Sequence, residues 1–257
     1  VQDTAKVVDD IITASIPFDE HVERVVEVLE RCRDGGITLS PKKFRFAQTE
    51  VKYVGYVVGR DGIKADPAKL KAIQEYPKPR NIHELRSFDG MINQIGHFTT
   101  ELTEARGVIR DLRSKKNVFT WGEEHDRAFE AIKACLARLI TLVQFDPKLP
   151  TRIDTDGSKL KGLGYSLQQE HGRSCACKCP EIVWKSVQCG SRFLTETESR
   201  YAPIEFEALG VVWAVKKCHY FLAGLPEFLI RNDHRTLIPI LNKLSLIHIS
   251  EPTRHES

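Results

Sequence analysis

The sequence predicts an α/β protein of the α+β type with more than one domain. Three observations carry this: its 257 residues exceed one typical domain, 41% of them are hydrophobic, and the pattern of apolar residues changes between helical and strand-like spacing along the chain. Asp9 and Asp10 stand near the start, where a hairpin turn is expected. Val22, Val25, Val26, Leu29 and Cys32 then recur at helical spacing, and Gly35-Gly36 supply the stop. Residues 42–47 and 51–58 read as two strands, with Arg60-Asp61-Gly62 as the turn before Ile63. Asp66-Pro67 places an N-cap and a first-turn proline ahead of a helix that Pro77 and Pro79 close. Asn81 and Glu84 have capping-box spacing before Leu85, Phe88 and Ile92, so another helix starts there. Ala128, Phe129, Ile132, Leu136 and Leu139 make an amphipathic helix introduced by Phe119 and Trp121.

Beyond residue 145 the chain alternates. Strands are expected at 151–155, 162–168 and 182–188, a helix at 203–223, a strand at 227–231 and a helix at 237–243. Strands first, then a strand between helices, give a mixed sheet with helices on its faces.

Composition narrows the function classes. The net charge of +3, from 38 basic and 35 acidic residues, is too mild to announce a nucleic-acid binder by itself. Lys42, Lys43, Arg45, Lys69, Lys71, Lys78, Arg80, Arg110, Arg113, Lys115 and Lys116 nevertheless crowd the first half, as a surface tracking phosphates or as ordinary solvated helix faces. Seven cysteines and no signal peptide argue for a reducing, intracellular setting over a secreted disulfide framework. Cys175, Cys177 and Cys179 have only His171 as a near fourth zinc ligand, and a loop with free thiols is the better reading. No apolar run approaches the ~20 residues of a membrane span.

Three acids concentrate the chemistry. Asp156 ends an apolar run before Gly157-Ser158, Glu207 opens an Ala/Leu/Val/Trp helix, and Asp233 follows the strand that includes Phe228 to Ile230. Where such strands are neighbours the carboxylates converge. Two carboxylates ~4 Å apart repel by roughly 4 kcal/mol at an effective dielectric near 20, so the set needs protons or divalent cations between its members. Strand-Asp, helix-Glu, strand-Asp therefore reads as a Mg²⁺ site for phosphodiester chemistry, with solvated surface acids as the alternative. Asp154, on the same strand face as Asp156, competes for the first ligand role.

Acids in this order, separated by 51 and 26 residues, resemble the ribonuclease H domain of retroelement polymerases. "DTDGSKLKGLGYSLQQEHG" looks like its first hairpin, "GSRFLTETESRYAPIEFEALGVVWAVKKCHYFLAGLPEF" like its third strand and first helix, and "NDHRTLIPIL" like the strand end and helix that follow. "VVDDIITAS" resembles the Tyr-x-Asp-Asp turn of reverse transcriptases, with Val7 in place of the tyrosine. The segments from "GITLSPKKFRFAQTEVKYVGYVV" to "FTWGEEHDRAFEAIKACL" are similar to thumb and connection segments of gypsy-type LTR retrotransposon polyproteins.

The resemblance implies a partial palm, thumb and connection followed by a C-terminally truncated ribonuclease H-like mixed five-stranded sheet. Its parts would be a palm remnant at 1–17, thumb and connection at 18–113, a tether helix at 114–145 and the nuclease at 146–243. It further implies cleavage of the RNA strand of an RNA/DNA hybrid by two Mg²⁺ ions, for which Mn²⁺ can substitute. Asp156 would bridge the pair, Glu207 and Asp233 would each hold one, and a fourth acid would lie beyond the matching stretch. Asp9 and Asp10 would bind metals at a primer 3′ end in a polymerase whose third acid lies upstream. Ser191, Arg192, Thr195 and Tyr201 are candidate hybrid contacts or plain loop residues, and His234 has a structural place beside Asp233. Implied partners are the hybrid, primer-template nucleic acid, and the protease and integrase of a parent polyprotein; the implied location is a cytoplasmic virus-like particle or the nucleus of a eukaryotic host. The alternative is a non-catalytic remnant that binds nucleic acid. Family members usually carry leucine at the position of Asp89 and tyrosine at that of Gln94, and a charge there is expected to weaken the packing of its helix. Residues 244–257, with "LSLIHISEPTR", have no family counterpart and resemble translated sequencing-adaptor read-through.

Overall fold

The computed structural model describes residues 3–99, 102–113, 118–158, 162–172, 182–242 and 248–250. The chain forms two compact units, Val1–Asp66 and Pro67–Ser257. The Cys175, Cys177, Cys179 run and most of the adaptor-like tail lie outside the described residues.

In the first unit β1 (Thr4–Val7) and β2 (Asp10–Thr13) pair as an antiparallel hairpin with Val7 opposite Asp10. Helix α1 (Phe18–Asp34) follows and ends, as the glycines require, where Gly36 takes φ +67°. Its apolar stripe is largely unburied: Cys32 is enclosed, but Val26 is 47% exposed.

Two strand expectations need correction here. Residues 42–47 form no strand, because Phe44 and Phe46 stack on each other while Phe46 meets Phe18 and His21 of α1, and side-chain packing replaces a ladder. The run 51–58 is two strands, β3 (Glu50–Tyr53) and β4 (Tyr56–Gly59), because Val54 at φ 49° and Gly55 at φ 83° make a two-residue hairpin turn. β5 (Gly62–Ala65) completes an antiparallel meander of three strands. Lys52 then donates to Asp66 at 3.0 Å.

The second unit opens with α2 (Pro67–Gln74), which begins at the expected proline. In α3 (Ile82–Ile95) the Asn81 side chain accepts from the amides of His83 and Glu84 at 3.0 and 2.9 Å. Glu84 reaches back to the amide of Arg80 at 2.7 Å. With α4 (Leu102–Arg110) and α5 (Glu123–Leu136) these helices bury Ile73, Leu85, Phe88, Ile92, Phe129 and Ile132, the two phenylalanine rings 4.6 Å apart. Asp89, expected to weaken this packing, is 2% exposed and held by Arg106 at 2.6 Å and Arg113 at 2.8 Å. Two guanidinium groups from outside α3 compensate the charge inside the helix cluster.

The sheet of the second unit is mixed, in the order β10 (His248–Ser250), β9 (Leu229–Arg231), β6 (Thr151–Ser158), β7 (Gly162–His171), β8 (Val183–Arg192). Its antiparallel part is β6, β7 and β8. β9 joins β6 in parallel, Asp154 opposite Arg231, and β10 joins β9 in parallel. Ile153, Tyr165, Leu167 and Val187 pack with Ala214, Cys218 and Leu222 from the helices. The helix expected over 203–223 is two, α6 (Pro203–Lys217) and α7 (His219–Leu222), because Cys218 adopts φ −91°, ψ 5° and redirects the chain. That turn buries Leu222 and leaves Tyr220 89% exposed. α8 (Leu237–Asn242) follows β9.

Candidate active site

Convergence of the three acids follows from strand register. β6 and β9 run parallel with Asp154 opposite Arg231, so Asp156 stands two residues further along β6 and Asp233 two residues past the end of β9. Neighbouring strands are about 4.8 Å apart, which sets the spacing of whatever projects from them at one level. α6 supplies the third acid. Pro203 starts it, Glu205 accepts from the amide of Ala202 at 2.8 Å, and Glu207 comes round to the sheet one turn later. Carboxylate oxygens of Asp156, Glu207 and Asp233 all lie within 4.8 Å of one another.

Gly157 is what lets the helix approach. A Cβ there would stand 3.1 Å from the Glu207 carboxyl carbon and 3.1 Å from the Phe206 ring, so any larger residue would push α6 away from β6. Asp156 and Asp233 are exposed, and Glu207 is buried. Burial raises the Glu207 carboxyl above its ordinary range; a hydrogen bond from Asn232 opposes this, and the charges of Asp233 and Asp156 add to the rise. Hard oxygen donors that repel one another around a half-enclosed point fit a divalent cation, which would remove the repulsion.

Asp154 is not part of this group. Arg231 donates to it at 2.5 Å and Arg152 lies 3.3 Å away, so its charge is met by guanidinium groups. Asp9 sits in the turn of the β1-β2 hairpin and Asp10 at the start of β2, both exposed. Among the described residues, Asp156, Glu207 and Asp233 are the group of three or more potential ligands that the fold assembles, and the hairpin acids are not in it.

Other candidates are engaged in local structure. Arg192 grips Glu198 through both nitrogens at 2.7 and 2.8 Å, and that carboxylate also accepts from the amide of Thr195 at 2.8 Å. These bonds, Arg192 foremost, hold the Glu198 carboxyl down at about 2. Of the basic residues in the first half, Lys78 is 2.7 Å from Asp126, Arg110 lies over the Phe193 ring and Arg113 pairs with Asp89. His234 contacts Thr236 through Nδ1 at 2.6 Å, and its amide donates to Asn232 at 2.8 Å. Asn232 itself escaped the sequence reading. Its only signal is an amide residue directly before an acid at a strand end, a pattern ordinary turns share.

Residues 121–230 match the family of the RNase H-like domain found in reverse transcriptase. The chain is 34% identical over 242 residues to the retrovirus-related Pol polyprotein from transposon gypsy of Drosophila melanogaster, covering 90% of this chain and 22% of that protein. It is 32% identical over 232 residues to the Pol polyprotein from transposon 297 of the same organism, covering 89% of this chain and 20% of that protein. The chain thus spans about a fifth of the length of these curated relatives. In fold it is similar to the foamy viral protease-reverse transcriptase solved in complex with RNA/DNA hybrid, at a TM-score of 0.78 and 19% identity, covering 100% of this chain and 36% of that one. The chain is therefore similar to the retrovirus-related Pol polyproteins of the gypsy type, and its residues 121–230 match the RNase H-like domain found in reverse transcriptase.

Proposed function

We propose that this chain binds an RNA/DNA hybrid and hydrolyses its RNA strand, Asp156, Glu207 and Asp233 holding two Mg²⁺ ions. The observation that carries this reading is the approach of three carboxylates from β6, α6 and the end of β9 to within 4.8 Å. Bound Mg²⁺ supplies Lewis acidity toward the phosphodiester and a more acidic bound water. The chain's own residues do the rest. Asp156 offers an exposed oxygen from β6 and Asp233 one from the segment just after β9, and Glu207 closes the cluster from its buried side. Asp154 is paired with Arg231 and Arg152 and stands outside the group of three. Binding of hybrid is supported by similarity to these polyproteins and by the hybrid in the foamy viral neighbour.

The wider reading places the chain in a larger Pol protein that also polymerises DNA on an RNA template, with primer-template as ligand and a protease and integrase as companion parts. In that setting Asp9 and Asp10 would serve the polymerase centre, and residues 18–113, 114–145 and 146–243 would be thumb and connection, tether and nuclease.

The test is cleavage of an end-labelled RNA/DNA hybrid with Mg²⁺ by the chain and by its Asp156→Asn variant. Cutting of the RNA strand that the variant loses by about 10³-fold, worth roughly 4 kcal/mol, is the expected result. A folded chain that binds hybrid with salt-dependent affinity but cuts no faster than the variant would replace this reading with that of a nucleic-acid-binding remnant.

A further inference from the structure

We propose that Asn232 is a positioning residue, one buried amide that aligns the three acid-bearing segments with one another and orients the Glu207 carboxylate. The proposal rests on the metal-binding reading of the cluster and adds to it a residue outside the ligand set.

Asn232 is 3% exposed and sits between Arg231, the last residue of β9, and Asp233. Its Nδ2 donates to Glu207 Oε2 at 2.9 Å and to Thr155 Oγ1 at 3.1 Å, and its Oδ1 accepts from the His234 amide at 2.8 Å. Each partner belongs to a different part of the site. Thr155 precedes Asp156 in β6, Glu207 is the helix ligand, and His234 follows Asp233. The direction of the amide is set by chemistry, since a backbone N–H can only donate and an ionised carboxylate can only accept.

Both amide hydrogens are used, so the side chain has one orientation. With Oε2 held by Asn232, the other oxygen of Glu207, Oε1, lies beside Gly157, where a Cβ would come within 3.2 Å of it. Asn232 thereby turns the free oxygen toward the residue next to Asp156. A carboxylate on a helix otherwise rotates about its last torsion broadly, and a cation site needs that torsion fixed.

A purely structural Asn232 would serve only the turn to His234, an asparagine habit in any loop. Two variants separate the roles. Asn232→Ala removes all three bonds. Asn232→Ser leaves an oxygen for the turn but shortens the arm that reaches Glu207 and Thr155. Mn²⁺ binding to the whole chain, without nucleic acid, is followed by the loss of free-ion electron paramagnetic resonance signal, beside thermal melting of each protein.

The expected result is that both variants bind Mn²⁺ about 10- to 100-fold more weakly than the parent, Asn232→Ser while melting close to it. Hybrid cleavage by Asn232→Ser should also require correspondingly more Mg²⁺ for half-maximal rate and recover at high Mg²⁺. Unchanged Mn²⁺ affinity in a folded Asn232→Ser protein would overturn the positioning role while leaving the metal-binding reading in place. Equal and negligible Mn²⁺ binding by the parent and by Asp156→Asn would instead overturn the metal-binding reading, and the positioning role with it.

Discussion

Asp156, Glu207 and Asp233 are gathered by two strands and a helix around a buried amide, whereas Asp9 and Asp10 sit exposed on a two-stranded hairpin. Both regions carry acids that the sequence singles out, the hairpin pair more weakly because Val7 stands in place of tyrosine. What differs is how closely the acids approach one another. The C-terminal acids are held close by register, by Gly157 and by Asn232, at the cost of mutual repulsion. The hairpin acids meet water and repel little. A carboxylate acquires chemistry from the elements that crowd it, and it is crowding that variants can test.

Removing an acid of the cluster should have the largest effect. Asp156→Asn is expected to lower hybrid cleavage by about 10³-fold, equivalent to roughly 4 kcal/mol, with its melting temperature unchanged or raised as repulsion falls. A variant that cuts like the parent would erase the distinction between the two regions.

Next comes Asp89, a buried acid outside the cluster that two guanidinium groups hold. Asp89→Ala leaves Arg106 and Arg113 facing each other without their carboxylate, and chemical denaturation should show a loss of about 3 kcal/mol. A loss below 0.5 kcal/mol would mean that enclosure alone does not make a charge important.

Gly157→Ala tests the crowding directly. Its Cβ would press on Glu207 and Phe206, for about 1 to 2 kcal/mol of stability measured by denaturant and a weaker Mn²⁺ affinity. Stability and affinity equal to the parent's would show that α6 has room to spare.

Glu198→Gln probes a carboxylate that is paired rather than crowded by its own kind. The folded carboxyl is held at about 2 by Arg192, below the ~4.3 of an unfolded chain, so its contribution is complete above ~4.3 and disappears as pH falls toward 2. Melting at pH 7 should show a deficit of about 1 kcal/mol in the variant, shrinking progressively below pH 4. A deficit independent of pH would assign the effect to packing.

The smallest effect belongs to the hairpin. Asp9→Asn with Asp10→Asn should leave hybrid cleavage within about twofold and stability within about 0.5 kcal/mol, as for exposed surface changes. A large fall in cleavage would require the hairpin acids to act on the nuclease, contrary to their absence from the carboxylate group.

Much of this was legible before any coordinates. The helices, the mixed sheet and the triad Asp156, Glu207, Asp233 follow from periodicity, capping residues and a motif order that few other families share. Errors fell where local pattern and packing compete. Residues 42–47 look like a strand because Phe44 and Phe46 alternate, yet alternation does not say whether a neighbouring strand or a helix face receives the rings. Val54-Gly55 hides a turn in a β-branched run, since valine seldom takes positive φ. The stripe of α1 announced a helix correctly and said nothing of what would cover it.

By itself, then, the sequence determined the local elements and set acids at a strand end, a helix start and just past a short strand, because such signals are written in residue type. Tertiary structure decided the rest. Only the register of β6 against β9 separates Asp156, facing Glu207, from Asp154, neutralised by Arg231, although both stand on one strand face. Only packing shows Asp89 compensated by Arg106 and Arg113, and Asn232 joining three segments. The physical reason is range: propensities and caps act over a few residues, whereas the charge state and orientation of a buried group depend on partners that the fold brings from 17 to 77 positions away.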